Sequence, residues 1–373
     1  MTSTRIRPHL RPGTVPGDLD DSPLERENLR KRVSAALDGF LDRQDARLVA
    51  VAAEAGELVL ALRELLSGGK RLRPAFAYWA WRGAGGPDDD RMVTAAAALE
   101  LFQASAIVHD DVMDHSDTRR GRPAVHRRFA GVHRDAGWRS DGAQFGAGAA
   151  ILVGDLCLGW SDEMFFGSGL AAERLVRARS LFEEMRTELM GGQYLDLLEQ
   201  ALGGGSVARA RRVIEYKSAR YSVLRPLQLG AALAGASPAL RAAYDGYGLP
   251  LGEAFQLRDD VLGVFGDPAE TGKPAGDDLR EGKRTVLVAL AVQHGSAAQV
   301  AVVDRHLGDP ALDLAGVEAL REVLVDTGAL DAVERMIATG AERALDALAA
   351  VEVAAPADGV LRELAAAATA RRF

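Results

Sequence analysis

The stretch Leu99-Glu100-Leu101-Phe102-Gln103-Ala104-Ser105-Ala106-Ile107-Val108-His109-Asp110-Asp111-Val112-Met113-Asp114 decides the fold. Its apolar residues recur at helical spacing and continue an alanine-rich run, so it predicts one long, largely buried helix over 90–114. Asp110 and Asp114 are four apart and share one face, with Asp111 beside them. They lie near the helix C-terminus, where an acid meets the negative pole of the macrodipole at a cost of about 0.3–1 kcal/mol. Carboxylates so placed on an apolar helix require positive charge to meet them. The run Asp88-Asp89-Asp90 differs: it follows Pro87 at a helix N-terminus, where acids help, and reads as structural.

A second acidic pair repeats the anomaly in Phe255-Gln256-Leu257-Arg258-Asp259-Asp260-Val261-Leu262, close to the end of a helix predicted over 238–264. If both helices open on one cavity, divalent cations between the clusters relieve carboxylate repulsion and leave positions for phosphate oxygens. The candidate ligands Asp110, Asp111, Asp114, Asp259 and Asp260 offer only oxygen, which favours Mg²⁺, with Mn²⁺ as the substitute. His109 and His115 flank the first cluster, but no third nitrogen or sulfur ligand stands at zinc spacing.

The cations come in compact sets. Gly68-Gly69-Lys70-Arg71-Leu72-Arg73-Pro74 is a glycine-led basic turn entering a helix, a geometry suited to phosphate. Arg119, Arg120 and Arg122 follow the first acids, and Lys217, Lys273 and Lys283 are isolated cations. This exceeds what one diphosphate requires and points to two anionic substrates, one gripped through metals and one by side chains.

Around these motifs the chain is rich in Ala, Leu, Arg and Glu, and helical periodicity dominates. Helices are expected over 24–55, 58–67, 74–83, 90–114, 145–167, 171–202, 206–233, 238–264, 284–294, 299–306, 314–327, 330–349 and 358–371, with a surface loop over 130–144. The expected architecture is all-α: one domain of long helices over 24–373 around a central cavity, after a disordered extension over 1–23. A net charge of −8 over 373 residues argues against a general nucleic-acid binder. One cysteine, Cys157, excludes an internal disulfide framework. The N-terminus lacks an apolar signal core, and no stretch of about 20 residues is apolar without interrupting charges, so a cytoplasmic protein without a membrane span is expected.

From about Ser67 to Thr285 the ordered motifs resemble those of the trans-isoprenyl diphosphate synthases, the polyprenyl synthetase family. Asp110-Asp111-Val112-Met113-Asp114 is similar to the family's first aspartate-rich motif, the stretch 255–260 to the approach to the second, and 69–74 to its isopentenyl diphosphate site. The resemblance implies that Lys70, Arg73 and Gln103 hold isopentenyl diphosphate, together with Arg120. It gives Arg119 to the allylic diphosphate, with Gln193 and Asp196 lining that site. Lys217 and Ser218 match the family's Lys–Thr/Ser pair, and Gln256, Lys273 and Lys283 match three further positions. It implies an all-α homodimer using three Mg²⁺ ions to ionise the allylic diphosphate, whose cation the double bond of isopentenyl diphosphate attacks. Asp110, Asp111, Asp114, Asp259, Asp260, Lys217 and Lys273 carry that chemistry. One departure stands out: the second motif commonly ends in a third aspartate, where this chain has Gly263.

Product length is a packing question. Ser105 and Ala106, a turn before Asp110, are small where short-chain members carry aromatics, and Phe102 or Leu101, a turn further on, is the expected floor. These residues favour geranylgeranyl diphosphate (C20), with a C15 or a C25 and longer synthase as alternatives. A terpene cyclase would lack the isopentenyl pocket of Lys70, Arg73 and Arg120. A head-to-head synthase would carry a C-terminal anchor, which 358–373 is too short and charged to supply. A non-catalytic partner subunit would have lost metal ligands that remain here.

Overall fold

The computed structural model describes residues 23–203, 205–267 and 276–369. The extension expected over 1–23 thus falls, up to residue 22, outside the described residues, and so does Lys273. The architecture is all-α, as the periodicity predicts. Helices α1 (Leu29–Val51), α2 (Gly56–Leu66), α3 (Leu72–Gly83) and α4 (Asp90–Met113) lead to a hairpin of β1 (Thr118–Arg119) and β2 (Arg122–Pro123). Then come α5 (Val125–Asp135), α6 (Gly142–Phe166), α7 (Ala172–Leu202), α8 (Val207–Val213), α9 (Arg225–Ala234) and α10 (Pro238–Phe265), succeeded by shorter helices that begin at Asp277–Arg280 and end at Ala357–Thr369.

Helix α4 is central, packed by α1, α3 and α6. Asp89 caps its start by accepting from Arg91 N at 2.8 Å, and Asp114 closes its end. The main core holds Trp79, Phe102, Phe165 and Phe182; a second core gathers Leu257, Val261, Val286, Val317 and Val333. Helix α10 belongs to both. Its Tyr244, Tyr247 and Leu251 enter the first core and its Ala254, Leu257 and Val261 the second. Pro250, which cannot donate to the helical ladder, sits inside this helix just before Leu251.

Between α8 and α9 the helix continues as a wide π-helical stretch, Ile214–Leu224. Periodicity predicts an uninterrupted helix over 206–233 and gives no sign of the widening. Two glycines explain how neighbours approach it. A Cβ on Gly192 of α7 would lie 2.3 Å from Lys217 N, and one on Gly252 of α10 would lie 2.6 Å from Ala219 O. Backbone meets backbone there because no side chain intervenes.

One expectation needs correction. The loop expected over 130–144 is helical as far as Asp135, within α5, and again from Gly142, where α6 begins. Val125, Phe129 and His133, four apart, form the buried stripe of α5, and the arginines around them mask that pattern. Helices α4 and α6 are each long and apolar enough to cross a bilayer by length and composition, although Glu100 interrupts the one and Asp155 the other. In α4 that apolarity faces protein, whereas α6 leaves Phe145, Ile151 and Leu152 exposed.

Candidate active site

The first acidic ledge is built by three helical segments. Lys217, from the π-helical stretch, donates to Asp110 Oδ1 of α4 at 2.8 Å and to Asp196 Oδ2 of α7 at 2.5 Å. Gln193 Nε2 donates to the same Asp110 oxygen at 2.8 Å. Asp110, Asp114 and Asp196 each bring an oxygen within 4.8 Å of the others. Both carboxyl oxygens of Asp114 are buried and accept no hydrogen bond among the described residues. A buried carboxylate left in that state is strongly disfavoured unless a cation meets it, and a hard all-oxygen donor set suits Mg²⁺ or Mn²⁺. The residues therefore fit the divalent ion that the sequence implies.

The charges respond accordingly. Burial works to raise Asp110, but Lys217 and Lys283 outweigh it and hold its carboxyl below the usual range. Asp114, next along the face, is pushed up to about 6 by burial and by repulsion from Asp110. Burial opposes the Lys217 charge, yet Asp110 and Asp196 hold the ammonium above its usual value. Asp111 points elsewhere: it is buried and takes the guanidinium of Arg119, whose Nε donates to Oδ1 at 3.0 Å. His109 turns to α6, its Nε2 3.2 Å from Ile151 O, over space that Gly154 leaves open.

The second ledge is built on α10 and the turn that follows it. Asp259 is exposed and Asp260 buried, with Gln256 Nε2 donating to Asp260 Oδ1 at 2.8 Å. Burial pushes Asp260 up to about 8; Gln256 opposes this, and Asp278 and Asp259 add to it. Lys283 pairs with Glu281 at 2.7 Å and with Asp278 at 3.1 Å, and these partners overcome its burial to hold it well above the usual lysine range. Ser116, just past α4, donates to Glu281 Oε1 at 2.7 Å. That bond ties the segment after α4 to the turn after α10, and the Lys283 charge is felt at Asp110. Asp278, Glu281 and Ser116 are not apparent from sequence; acids inside Gly276-Asp277-Asp278 look like an ordinary turn.

The basic set lies beside the first ledge. The β1–β2 turn places Arg120 at φ 54° and Gly121 at φ 71°, both left-handed, as a two-residue type I′ hairpin requires. This tight turn separates neighbouring arginines: Arg119 goes to Asp111, while Arg120 Nη1 donates to Leu65 O at 3.1 Å and lies beside Gly69. Loss of solvent, together with Arg71, Arg119 and Arg73, lowers the Arg120 guanidinium from its ordinary value, against the opposing pull of Glu100. An anion placed here would relieve that repulsion. A cavity of about 330 Å³ opens there, lined by Ser67, Arg119, Arg120, Arg122 and Arg128 among others. Three of the six described non-glycine residues at positive φ, Arg71, His115 and Arg120, flank the site.

The remaining expected residues are distributed around this frame. Lys70 is exposed on its turn between Gly69, at φ 89°, and Arg71. Arg73 is buried, donates to Ser222 Oγ at 2.7 Å and stacks over Tyr221 at 4.4 Å. Arg71 is a structural cation, bound to Glu100 at 2.7 Å inside the core. Ser218 is buried in the π-helical stretch and Gln103 is half-buried on α4. Phe102 is fully buried, edge-on to Tyr221 with centroids 6.0 Å apart; Ser105 is fully buried and Ala106 half-buried.

Comparison with known proteins agrees with this geometry. Residues 56–324 match the pattern of the family described as polyprenyl synthetase. A geranylgeranyl pyrophosphate synthase from Corynebacterium glutamicum, solved with isoprenyl diphosphate and magnesium, superposes with a TM-score of 0.89 at 42% identity, covering 95% of this chain and 100% of its own. A geranylfarnesyl diphosphate synthase from Aeropyrum pernix is 33% identical over 78% of this chain and 86% of its own. A (2E,6E)-farnesyl diphosphate synthase from Mycobacterium tuberculosis is 34% identical over 62% of this chain and 58% of its own.

Proposed function

The chain belongs to the polyprenyl synthetase family and is a head-to-tail trans-prenyltransferase, and on that premise we propose that it extends an allylic diphosphate with isopentenyl diphosphate to geranylgeranyl diphosphate. The observation that carries the reading is Asp114, a buried carboxylate that accepts no described hydrogen bond, between Asp110 and Asp196 and near a nest of cations.

Asp110, Asp114 and Asp196 on one side and Asp259 and Asp260 on the other would hold the divalent ions, three in the family's pattern, with Asp111 supporting the first ledge through Arg119. When bound, such ions neutralise the diphosphate oxygens. Arg119, Lys217 and Lys273 stabilise the charge that builds on the leaving diphosphate. Lys283 adds its charge between the ledges, and Gln193 and Gln256 orient the carboxylates they bond. Lys70, Arg73, Gln103 and Arg120 grip the diphosphate of the second substrate. The allylic C–O bond breaks with its electron pair leaving on the diphosphate, and the π bond of isopentenyl diphosphate forms the new C–C bond. The resulting cation loses a proton to the departing diphosphate. Ser218 lines the same wall from the π-helical stretch.

Small residues at Ser105 and Ala106 support a C20 product over C15, and Phe102 against Tyr221 supports a floor that excludes much longer chains. We also read residues 24–373 as one catalytic domain working in the cytoplasm, with the exposed apolar side chains Phe145, Ile151 and Leu152 of α6 seating a second copy. Incubation with Mg²⁺, isopentenyl diphosphate and each allylic starter, then product mass analysis, tests the reading. A C20 product that needs a divalent ion and both substrates is expected. Principal C15 or C25 products would correct the length, and no condensation would favour a partner subunit.

A further inference from the structure

Gly263 stands four residues after Asp259 on α10, on the face that Asp259 presents, and offers no side chain there. The space is nevertheless filled. A Cβ built on Gly263 would lie 1.8 Å from Oδ2, 2.8 Å from Cγ and 3.5 Å from Cβ of Asp278. The carboxylate of Asp278 therefore rests on the α10 surface where a residue-263 side chain would begin. It arrives from the opposite direction, on the short helix Asp277–Arg280.

The turn that delivers it is held firmly. Gly276 opens it at φ 72°, and Leu279 N donates to Gly276 O at 3.1 Å. Gly308 N donates to Leu279 O at 2.8 Å, pinning the turn to a distant loop. Lys283 N donates to Asp278 O at 3.1 Å, while its Nζ reaches Asp278 Oδ1 at 3.1 Å. Oδ2 is the oxygen turned onto Gly263, so the side chain is oriented by its partner and not merely near α10.

We propose that Asp278 supplies, from outside the motif, the third carboxylate that the second ledge lacks at Gly263, and so supports divalent-ion binding beside Asp259 and Asp260. The proposal rests on the second ledge being a metal site. Gly263 and Asp278 form a complementary pair: the missing side chain is what admits the incoming acid.

The test counts bound Mn²⁺ by electron paramagnetic resonance in the presence of inorganic pyrophosphate, with no turnover required. D278N should weaken Mn²⁺ binding about 10–100-fold, the range for losing a group that supports a metal ligand. The swap G263D/D278G, which moves the carboxylate onto α10, should recover most of that loss. D259N is the control. Wild-type affinity in D278N alongside a loss in D259N would overturn the proposal and leave the ledge intact. A weakened D278N that the swap fails to rescue would also overturn it, because the carboxylate would then not be what the position needs. If neither D278N nor D259N weakens binding, the second ledge is not a metal site at all.

Discussion

The two ledges share a composition and differ in how their charge is balanced. In the first, Lys217 lies against Asp110 and Asp196 and Arg119 against Asp111, whereas Asp114 accepts no bond among the described residues and its carboxyl is raised to about 6. In the second, Asp260 is met by the neutral Gln256, while Lys283 is engaged by Asp278 and Glu281; Asp260 rises to about 8. The first ledge is preorganised by its own cations. The second carries acid repulsion in the folded chain, from Asp278 and Asp259 onto Asp260.

That contrast can be broken most decisively at its ligands. Asp110→Ala or Asp259→Ala should lower turnover by about 10²–10³ or more, while circular dichroism reports an unchanged fold. Near-normal turnover in either variant at saturating Mg²⁺ would remove the metal assignment from that ledge. Next comes the clamp on the preorganised side. Gly192→Ala drives a methyl into the Lys217 backbone and should destabilise the protein by about 1–3 kcal/mol in chemical denaturation, with turnover falling as Lys217 moves off Asp110. An unaltered denaturation midpoint would mean that the π-helical stretch yields freely.

Product length gives a smaller, graded effect. Ala106 shares the face of Asp110, whereas Ser105, five residues away, lies about 140° around the helix. Both Ser105→Phe and Ala106→Phe should shorten the product in mass spectrometry, Ala106→Phe the more strongly. An unchanged distribution in both would dismiss the floor at Phe102.

The smallest effect is one of pH. An unfolded aspartate titrates near about 3.9, while folded Asp114 and Asp260 do so at about 6 and about 8. Between those values the folded chain binds more protons than the unfolded one, so stability falls as pH rises. The melting temperature of the metal-free protein should decline from about pH 4 to about pH 8, until both groups have ionised in the folded chain. Mg²⁺ with inorganic pyrophosphate should restore more of it at the alkaline end. A flat profile without metal would show that the acids of the second ledge do not repel one another in the folded chain.

Most of the fold and site is legible in the sequence because it is local. Helical spacing locates α4 and α10, and acids at the wrong end of an apolar helix identify both ledges without coordinates. What stays illegible is what tertiary contact decides. Nothing in Tyr216-Lys217-Ser218 signals a π-helical turn, nor that Gly192 and Gly252 on other helices let their backbones approach it. Asp196 reads as a substrate-site residue until Lys217 draws it to Asp110. Arg71 looks as suited to phosphate as its neighbours, yet Glu100 already claims it. The hairpin that parts Arg119 from Arg120 shows in sequence only as Gly121 after two arginines.

The wide turns between Ile214 and Leu224 also bear on how this chain can vary. Each π turn carries an additional residue compared with an ordinary one. Deleting one residue from such a turn would return it to regular geometry and keep the helices on either side near their present phase, whereas deleting one from a regular helix turns its two halves by roughly 100° relative to each other. Lys217 within the stretch and Arg225 just beyond it, held by Asp110 and Glu188, could then both keep their partners. A one-residue gap is thus easier to absorb here than in the regular helices around it.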